Sequence, residues 1–366
     1  MIHLRIYALA ACVASLAATA GCSGISSWNA ALPGRNSTDL RGHAPSGTIA
    51  EYAIDQPHEP RVKAFPIWIS NGPDGALWFT ERGWGKLGRI TTDGTITNQF
   101  SLKVKGGGQS WRPQNVTTGP DGNLWATAGT LRTYRQESNA VPDPYGSIRS
   151  MTPSGKVKVV TNLPTMFSDA RGIVVGPDND IWFAERRGAI GQMQPDGTLL
   201  REFALENGNA VYSIMVGPDQ NLWFGETFND IIGRITTGGV ITYFTLPKNA
   251  GPSGIVAGPD GNLYGSEFLG SKVAQINTAG VATAEWPLSK ESFPKGITVG
   301  SDGNLYVAEF GIGKIAQVIL SGSMTGTVNE FPVPTPHSGP WGITSGPDGN
   351  IWFTESLTDK IGKLSI

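Results

Sequence analysis

Apolar and polar residues alternate in short runs along most of the chain, as in Leu222, Trp223, Phe224, Gly225 and Glu226, and no helical pattern competes with this one. A two-residue period predicts strands, because successive side chains leave opposite faces of an extended backbone. The runs are separated by turns of one type, "GPDGN" and its variants. In these, Pro and Asp start the bend and Gly or Asn takes the positive φ angle. Taking the first Gly of each turn as a marker gives Gly72, Gly119, Gly176, Gly217, Gly258, Gly300 and Gly346, spaced by 47, 57, 41, 41, 42 and 46 residues. Each copy reads as an apolar strand, the turn, an alternating strand, a third strand such as "IIGRI", and a fourth ending in an aromatic such as Phe100, Phe203, Phe244, Trp286 or Phe331. Seven all-strand repeats of about this length predict an all-β, seven-bladed β-propeller with four-stranded blades.

The seventh copy stops one strand short, at "KIGKLSI". The text "GTIAEYAI", Gly47 to Ile54, resembles a fourth strand with no first three before it. It is expected to complete the last blade and close the ring, which hides the exposed edges. One domain over 47–366 follows.

In an up-and-down blade, the start of the first strand and the end of the second share a face, opposite the "GPDGN" turns. Two sets of residues are therefore expected at one mouth of the channel. Opening the first strands are Ile67, Gln114, Arg171, Tyr212, Ser253, Lys295 and Trp341, a different residue in every blade. Closing the second strands are Glu81, Ala128, Glu185, Glu226, Glu267, Glu309 and Glu355. A position that varies within a repeated scaffold is where a small-molecule, peptide or other extended ligand is expected. The insertions Lys103 to Trp111 and Leu131 to Tyr145 are expected to overhang the same mouth.

Charge and cysteine content narrow the function. With 28 Lys and Arg against 30 Asp and Glu, the net charge of −2 provides no basic field for a phosphate backbone, so no nucleic-acid partner is expected. Residues 1–22 carry Arg5, an apolar run from Ile6 to Ala20 and small residues before Cys22, which reads as an export signal too short to span a bilayer. Thr19-Ala20-Gly21-Cys22 resembles a lipoprotein cleavage box, with Cys22 as the acylated residue; plain secretion is the alternative. The expected location is the periplasm or cell envelope, with membrane contact only through the lipid. Residues 23–46, rich in Ser, Gly, Pro and Ala, read as a tether. Cys12 and Cys22 are the only cysteines, so the propeller holds no disulfide or thiolate zinc site. It is expected to be a monomer.

The candidate chemistry has two readings throughout. The Glu ring, Glu309 and Glu355 foremost, offers oxygen ligands for Mg²⁺, or each Glu simply pairs within its blade. Lys295 is a base if burial lowers its pKa, or it neutralises a carboxylate such as Glu309. Trp341 stacks on a ligand or packs between blades. The repeated Trp of the second strand and the "GPDGN" Asp read as packing and turn chemistry. His337 is the one histidine expected near the mouth.

The period, the text "GPDGNIWFTE" followed by "DKIGKL", and the "PxGI" strand openings together resemble the streptogramin B lyase family, also called virginiamycin B lyases, over residues 47–366. The resemblance implies a Mg²⁺-assisted β-elimination that opens the ester of a cyclic depsipeptide, with a His as base. It implies working residues in the last two blades: a His in "PHxI", a Glu and a His in "EPHGI", and the Glu closing the seventh blade's second strand. Glu355 matches the last. Lys295 stands where the first His belongs, and Gly339 and Trp341 replace the Glu and His of the motif. The expectation is a ligand-binding propeller, with contacts from Arg171, Tyr212, Ser253, Lys295 and Trp341, that has lost the family's reaction. The alternatives are a lyase or hydrolase with Lys295 as base and a metal on Glu309 and Glu355, and a protein-protein interaction platform.

Overall fold

The computed structural model describes residues 47–55, 63–102, 111–129, 145–166, 168–206 and 210–366; the expected export signal, the tether and most of both insertions lie outside them. Among the described residues, 28 strands form seven four-stranded antiparallel sheets. Blade 6 runs through Pro294–Val299, Leu305–Glu309, Lys314–Val318 and Val328–Pro332. Blade 7 is Pro340–Ser345, Ile351–Glu355 and Lys360–Ser365, with Thr48–Ala53 as its fourth strand. First strands of neighbouring blades touch in a closed circuit from blade 1 to blade 7 and back. The N-terminal strand pairs from Thr48 opposite Ser365 to Ala53 opposite Lys360. Its Tyr52 stacks on Trp352 at 5.6 Å, just as Phe100 stacks on Trp78 at 5.5 Å in blade 1. The sequence at both ends of the chain thus builds one ordinary blade.

The repeated turn and the repeated aromatic form a single packing unit. In every blade the turn's Asp accepts a hydrogen bond at 2.9–3.0 Å from the Trp Nε1 or Tyr hydroxyl four residues on, from Asp74 with Trp78 to Asp348 with Trp352. These rings are buried between blades. A buried N–H needs an acceptor, and the Asp that starts the turn supplies it. Each ring contributes roughly 4–6 kcal/mol of gross burial free energy. The first Gly of the turn lies under the ring: a Cβ at Gly346 would come within 2.4 Å of Trp352.

A second complementarity sets the sheet interior. Phe79, Phe183, Phe224 and Phe353 of the second strands lie directly opposite Gly88, Gly191, Gly233 and Gly362 of the third. Each ring covers its glycine, so that a Cβ on Gly362 would meet Phe353 at 2.1 Å. Where the second strand has Gly265 or Val307, the third has Ala274 or Ala316. Volume is conserved across the pair, as close packing requires.

Candidate functional site

The variable first-strand residue sits in a β-bulge in every blade. In blade 6, pairing holds at Pro294 opposite Glu309 and resumes at Ile297 opposite Val307, leaving Lys295 and Gly296 in the bulge. The same irregularity falls at the other six ring positions. A bulge re-aims a side chain out of the regular alternation. Here all seven, from Ile67 to Trp341, line one open pocket, with Trp68, Asn115 and Ser213 between them. Arg171, Tyr212, Ser253, Lys295 and Trp341 are thus brought together.

The backbone of this ring is held across blade boundaries. Thr354 Oγ donates to the Ile67 carbonyl at 3.1 Å and accepts from the Gly342 N–H at 2.9 Å. Ser266 makes the equivalent bonds to the Lys295 carbonyl at 2.6 Å and from the Gly254 N–H at 2.8 Å. Glycine follows the ring residue in "PxGI" because the inner strands approach closely. A Cβ at Gly296 would lie 2.7 Å from the Trp341 carbonyl oxygen.

Lys295 and Arg171 supply the charge of the pocket. The Lys295 Nζ lies 3.7 Å from the ring centre of Phe268, 4.6 Å from that of Trp341 and 6.0 Å from that of Phe310. It has no ion-pair partner among the described residues. Burial pushes its pKa down to about 7, with the Arg171 charge adding in the same direction. The aromatic faces attract the ammonium and oppose that shift. Arg171 donates to Gln114 Oε1 and Asp169 Oδ2, each at 2.7 Å, and its guanidinium lies 5.6 Å over Tyr212. Asp169 also faces Arg186 at 3.5 Å.

The Glu ring is elsewhere. Glu309 and Glu355 are fully buried and do not line the pocket, which corrects the expectation that second-strand carboxylates meet at the mouth. Strand alternation is the reason: these side chains turn toward the outer strands of their own blades. Burial raises Glu309 to about 8, with nearby Glu330 adding to the shift, and Lys314 pairs with Glu330 at 2.7 Å. Glu355 accepts from Thr358 at 2.9 Å; burial first, and Glu51 next to it, raise it to about 8. Lys295 therefore does not neutralise Glu309; it sits in an aromatic cage instead.

Mg²⁺ does not fit these residues. Glu309 and Glu355 lie buried in separate blades and neither lines the pocket, and a side chain starting at Gly339 would meet Leu357 at 2.7 Å. No group of three or more metal-ligating side chains occurs among the described residues. The exposed His337, at φ 56°, is not part of the pocket lining.

The residue just after the second-strand Glu was the missed signal. Phe268 and Phe310 occupy that position and lie against the Lys295 ammonium, while Arg186 occupies it in blade 3. Reading one residue beyond each Glu would have found them.

A closed seven-bladed ring whose first-strand bulges aim non-repeating residues into one opening defines a propeller with an axial pocket. The chain belongs to the virginiamycin B lyase family, whose sequence profile matches residues 38–133 and 142–325. Among solved structures it is similar to a streptogramin B lyase, with 29% identity and a TM-score of 0.74 over 87% of this chain and 97% of that one. It is also similar to a selenomethionine-substituted virginiamycin B lyase from Staphylococcus aureus, with 31% identity and a TM-score of 0.73 over 87% and 99%. A catalytically inactive virginiamycin B lyase from the same organism, solved with quinupristin, gives 32% identity and a TM-score of 0.72 over the same shares. No curated protein sequence matches the chain.

Proposed function

We propose that this chain is a binding member of the family: it holds a small or extended ligand in the axial pocket and does not carry out the ester-opening elimination of streptogramin lyases. One observation carries the reading. The position where the resemblance places a catalytic His holds Lys295, caged by Phe268 and Trp341, while the matched carboxylate, Glu355, is turned away into its own blade. Both the base and the metal shell of the family chemistry are replaced by a cation with aromatic walls.

The test uses quinupristin, present in one of the similar structures. Mass spectrometry should recover it unopened after incubation with the protein and Mg²⁺, and a thermal-shift fragment screen should give hits that disappear in Trp341→Ala and Lys295→Ala. Ring opening that stops with chelator and in Glu355→Ala would overturn the reading.

A second reading, a lyase or hydrolase with Lys295 as base, draws support from the lowered pKa of that amine, which suits proton abstraction near neutral pH. Turnover that survives chelator but not Lys295→Ala would favour it. The N-terminal text further supports export with a lipid on Cys22. Fractionation of cells expressing the wild type and Cys22→Ser tests this, the variant being released from the membrane fraction.

A further inference from the structure

We infer that the ligand of the axial pocket is a planar organic anion, an aryl or heteroaryl carboxylate, held with its acid group between Lys295 and Arg171 and its ring against Trp341. The inference rests on the reading of the pocket as a binding site and adds the ligand's chemical class.

Three observations carry it. The pocket lining contains two cations and, among the described residues, no carboxylate. The cations come from blades 6 and 3, on different sides of the opening, so that a group entering the funnel meets both. Second, the hydrogen-bonding capacity of the Lys295 ammonium is unspent. No side chain among the described residues pairs with Lys295, and Arg171 Nε is buried without a partner although its two terminal nitrogens are bonded to Gln114 and Asp169. An oxyanion in the pocket would pair with the Lys295 ammonium, while Arg171, anchored by Gln114 and Asp169, contributes a second positive group to the lining. Third, the walls are aromatic. Trp68, Tyr212 and Trp341 line the pocket, and Trp341 is itself braced edge-on by Phe310 at 5.3 Å. A braced, half-buried indole beside an ammonium offers a face to a flat ring while the ammonium takes its charge.

Arg171 is ion-paired with Asp169 at 2.7 Å, yet its charge still disfavours the Lys295 ammonium, and an anion that enters relieves that repulsion. A neutral ligand leaves it in place. The lining therefore selects on charge as well as shape.

The experiment is calorimetry with a matched pair of probes, indole-3-acetate and indole-3-acetamide, which share the ring and differ in charge. The acid is expected to bind at least about tenfold more tightly than the amide, the difference expected from roughly one charge-assisted hydrogen bond. That preference should shrink as salt rises from 20 mM to 500 mM, a measurement on the wild-type protein that needs no variant. Lys295→Gln should bring the acid down to the affinity of the amide. Arg171→Lys should keep part of the preference and Arg171→Gln should lose it, with Lys158→Gln, on the exposed outer strand of blade 2, as the charge-matched control that changes nothing. Circular dichroism of each variant confirms the fold.

Equal binding of both probes, abolished by Trp341→Ala, would overturn the anion assignment and leave the pocket as the binding site. No binding of either probe would overturn the ligand class, with the fragment screen still deciding the site. Binding that no pocket substitution alters would overturn both.

Discussion

Lys295 and Trp341 belong to consecutive blades, yet the Nζ of one lies 4.6 Å from the ring centre of the other. Phe268, one blade back, closes the opposite side at 3.7 Å. Three blades therefore meet on a single ammonium, and the pocket's main charge is set by packing between repeats that are otherwise independent.

The first prediction concerns pH. Burial, aided by Arg171, lowers Lys295 to about 7. Below that value the amine is charged and attracts a carboxylate; above it the charge is lost. Affinity for indole-3-acetate should fall between pH 6 and pH 8.5, while affinity for the amide stays level. Lys295→Arg should flatten the profile, because a guanidinium does not titrate in this range. Parallel profiles for acid and amide would count against a titrating Lys295.

The second concerns ring closure. Thr354 Oγ links blade 7 to blade 1 through the Ile67 carbonyl, so Thr354→Val keeps the shape and removes both a donor and an acceptor in a buried place. The loss should be roughly 1–3 kcal/mol, read as a lower midpoint in urea unfolding. Thr97→Val, on an exposed fourth strand, serves as the comparison and should change little.

The third concerns the phenylalanine and glycine pairs. Gly362→Ala places a methyl where Phe353 lies at 2.1 Å, an overpacking expected to cost about 1–3 kcal/mol. Phe353→Val in the same chain should recover part of it, since blade 6 already pairs Val307 with Ala316. A double variant less stable than the sum of the single changes would show that volume is not what couples the two positions.

The fourth concerns stability across pH. Burial raises Glu81, Glu185, Glu309 and Glu355 to about 8 and Glu267 to about 7, from an ordinary value of 4.5. Between these values the folded chain holds protons that the unfolded chain has released, so stability falls as pH rises from about 4.5 to 8 and levels off beyond. Opposite in sign is Asp348: against the burial that would raise it, hydrogen bonds from Lys363, Asn350 and Trp352 bring it to about 2. Its contribution is lost at strongly acid pH. Melting temperature should peak in mildly acid buffer, and Glu309→Gln should gain on the wild type as pH rises to 8. A flat profile over that interval would contradict the protonated state of these groups.

Much of this was legible because the repeat reports on itself. Seven turns of the "GPDGN" type, three exact and four varied, gave blade number and strand order, and "GTIAEYAI" identified the closing strand because it matched a fourth strand with nothing before it. The first-strand ring was legible for the opposite reason: Lys295, Arg171 and Trp341 vary where everything around them repeats. The Glu residues misled. They repeat like scaffold, and they lie buried outside the pocket lining; assigning them to the mouth treated the end of a strand as a location, when the face of the sheet decides where a side chain goes. Phe268 and Phe310 stood one residue past the second-strand Glu, but that both rings turn onto Lys295 is decided by packing between blades, which the repeat text does not carry.

The pairing of Thr48–Ala53 with Lys360–Ser365 has a further consequence for how the molecule is made. The earliest propeller segment to leave the ribosome finds its partner only when the last residues have been synthesised. Until then the N-terminal strand has no blade to join and blade 1 has an uncovered flank, so the nascent chain spends nearly the whole of translation as an unclosed arc. Closure by so distant a contact is slow to find and, once made, must be undone before either end can peel away. Completion of the circle is thus the last event of assembly and the first barrier to its loss.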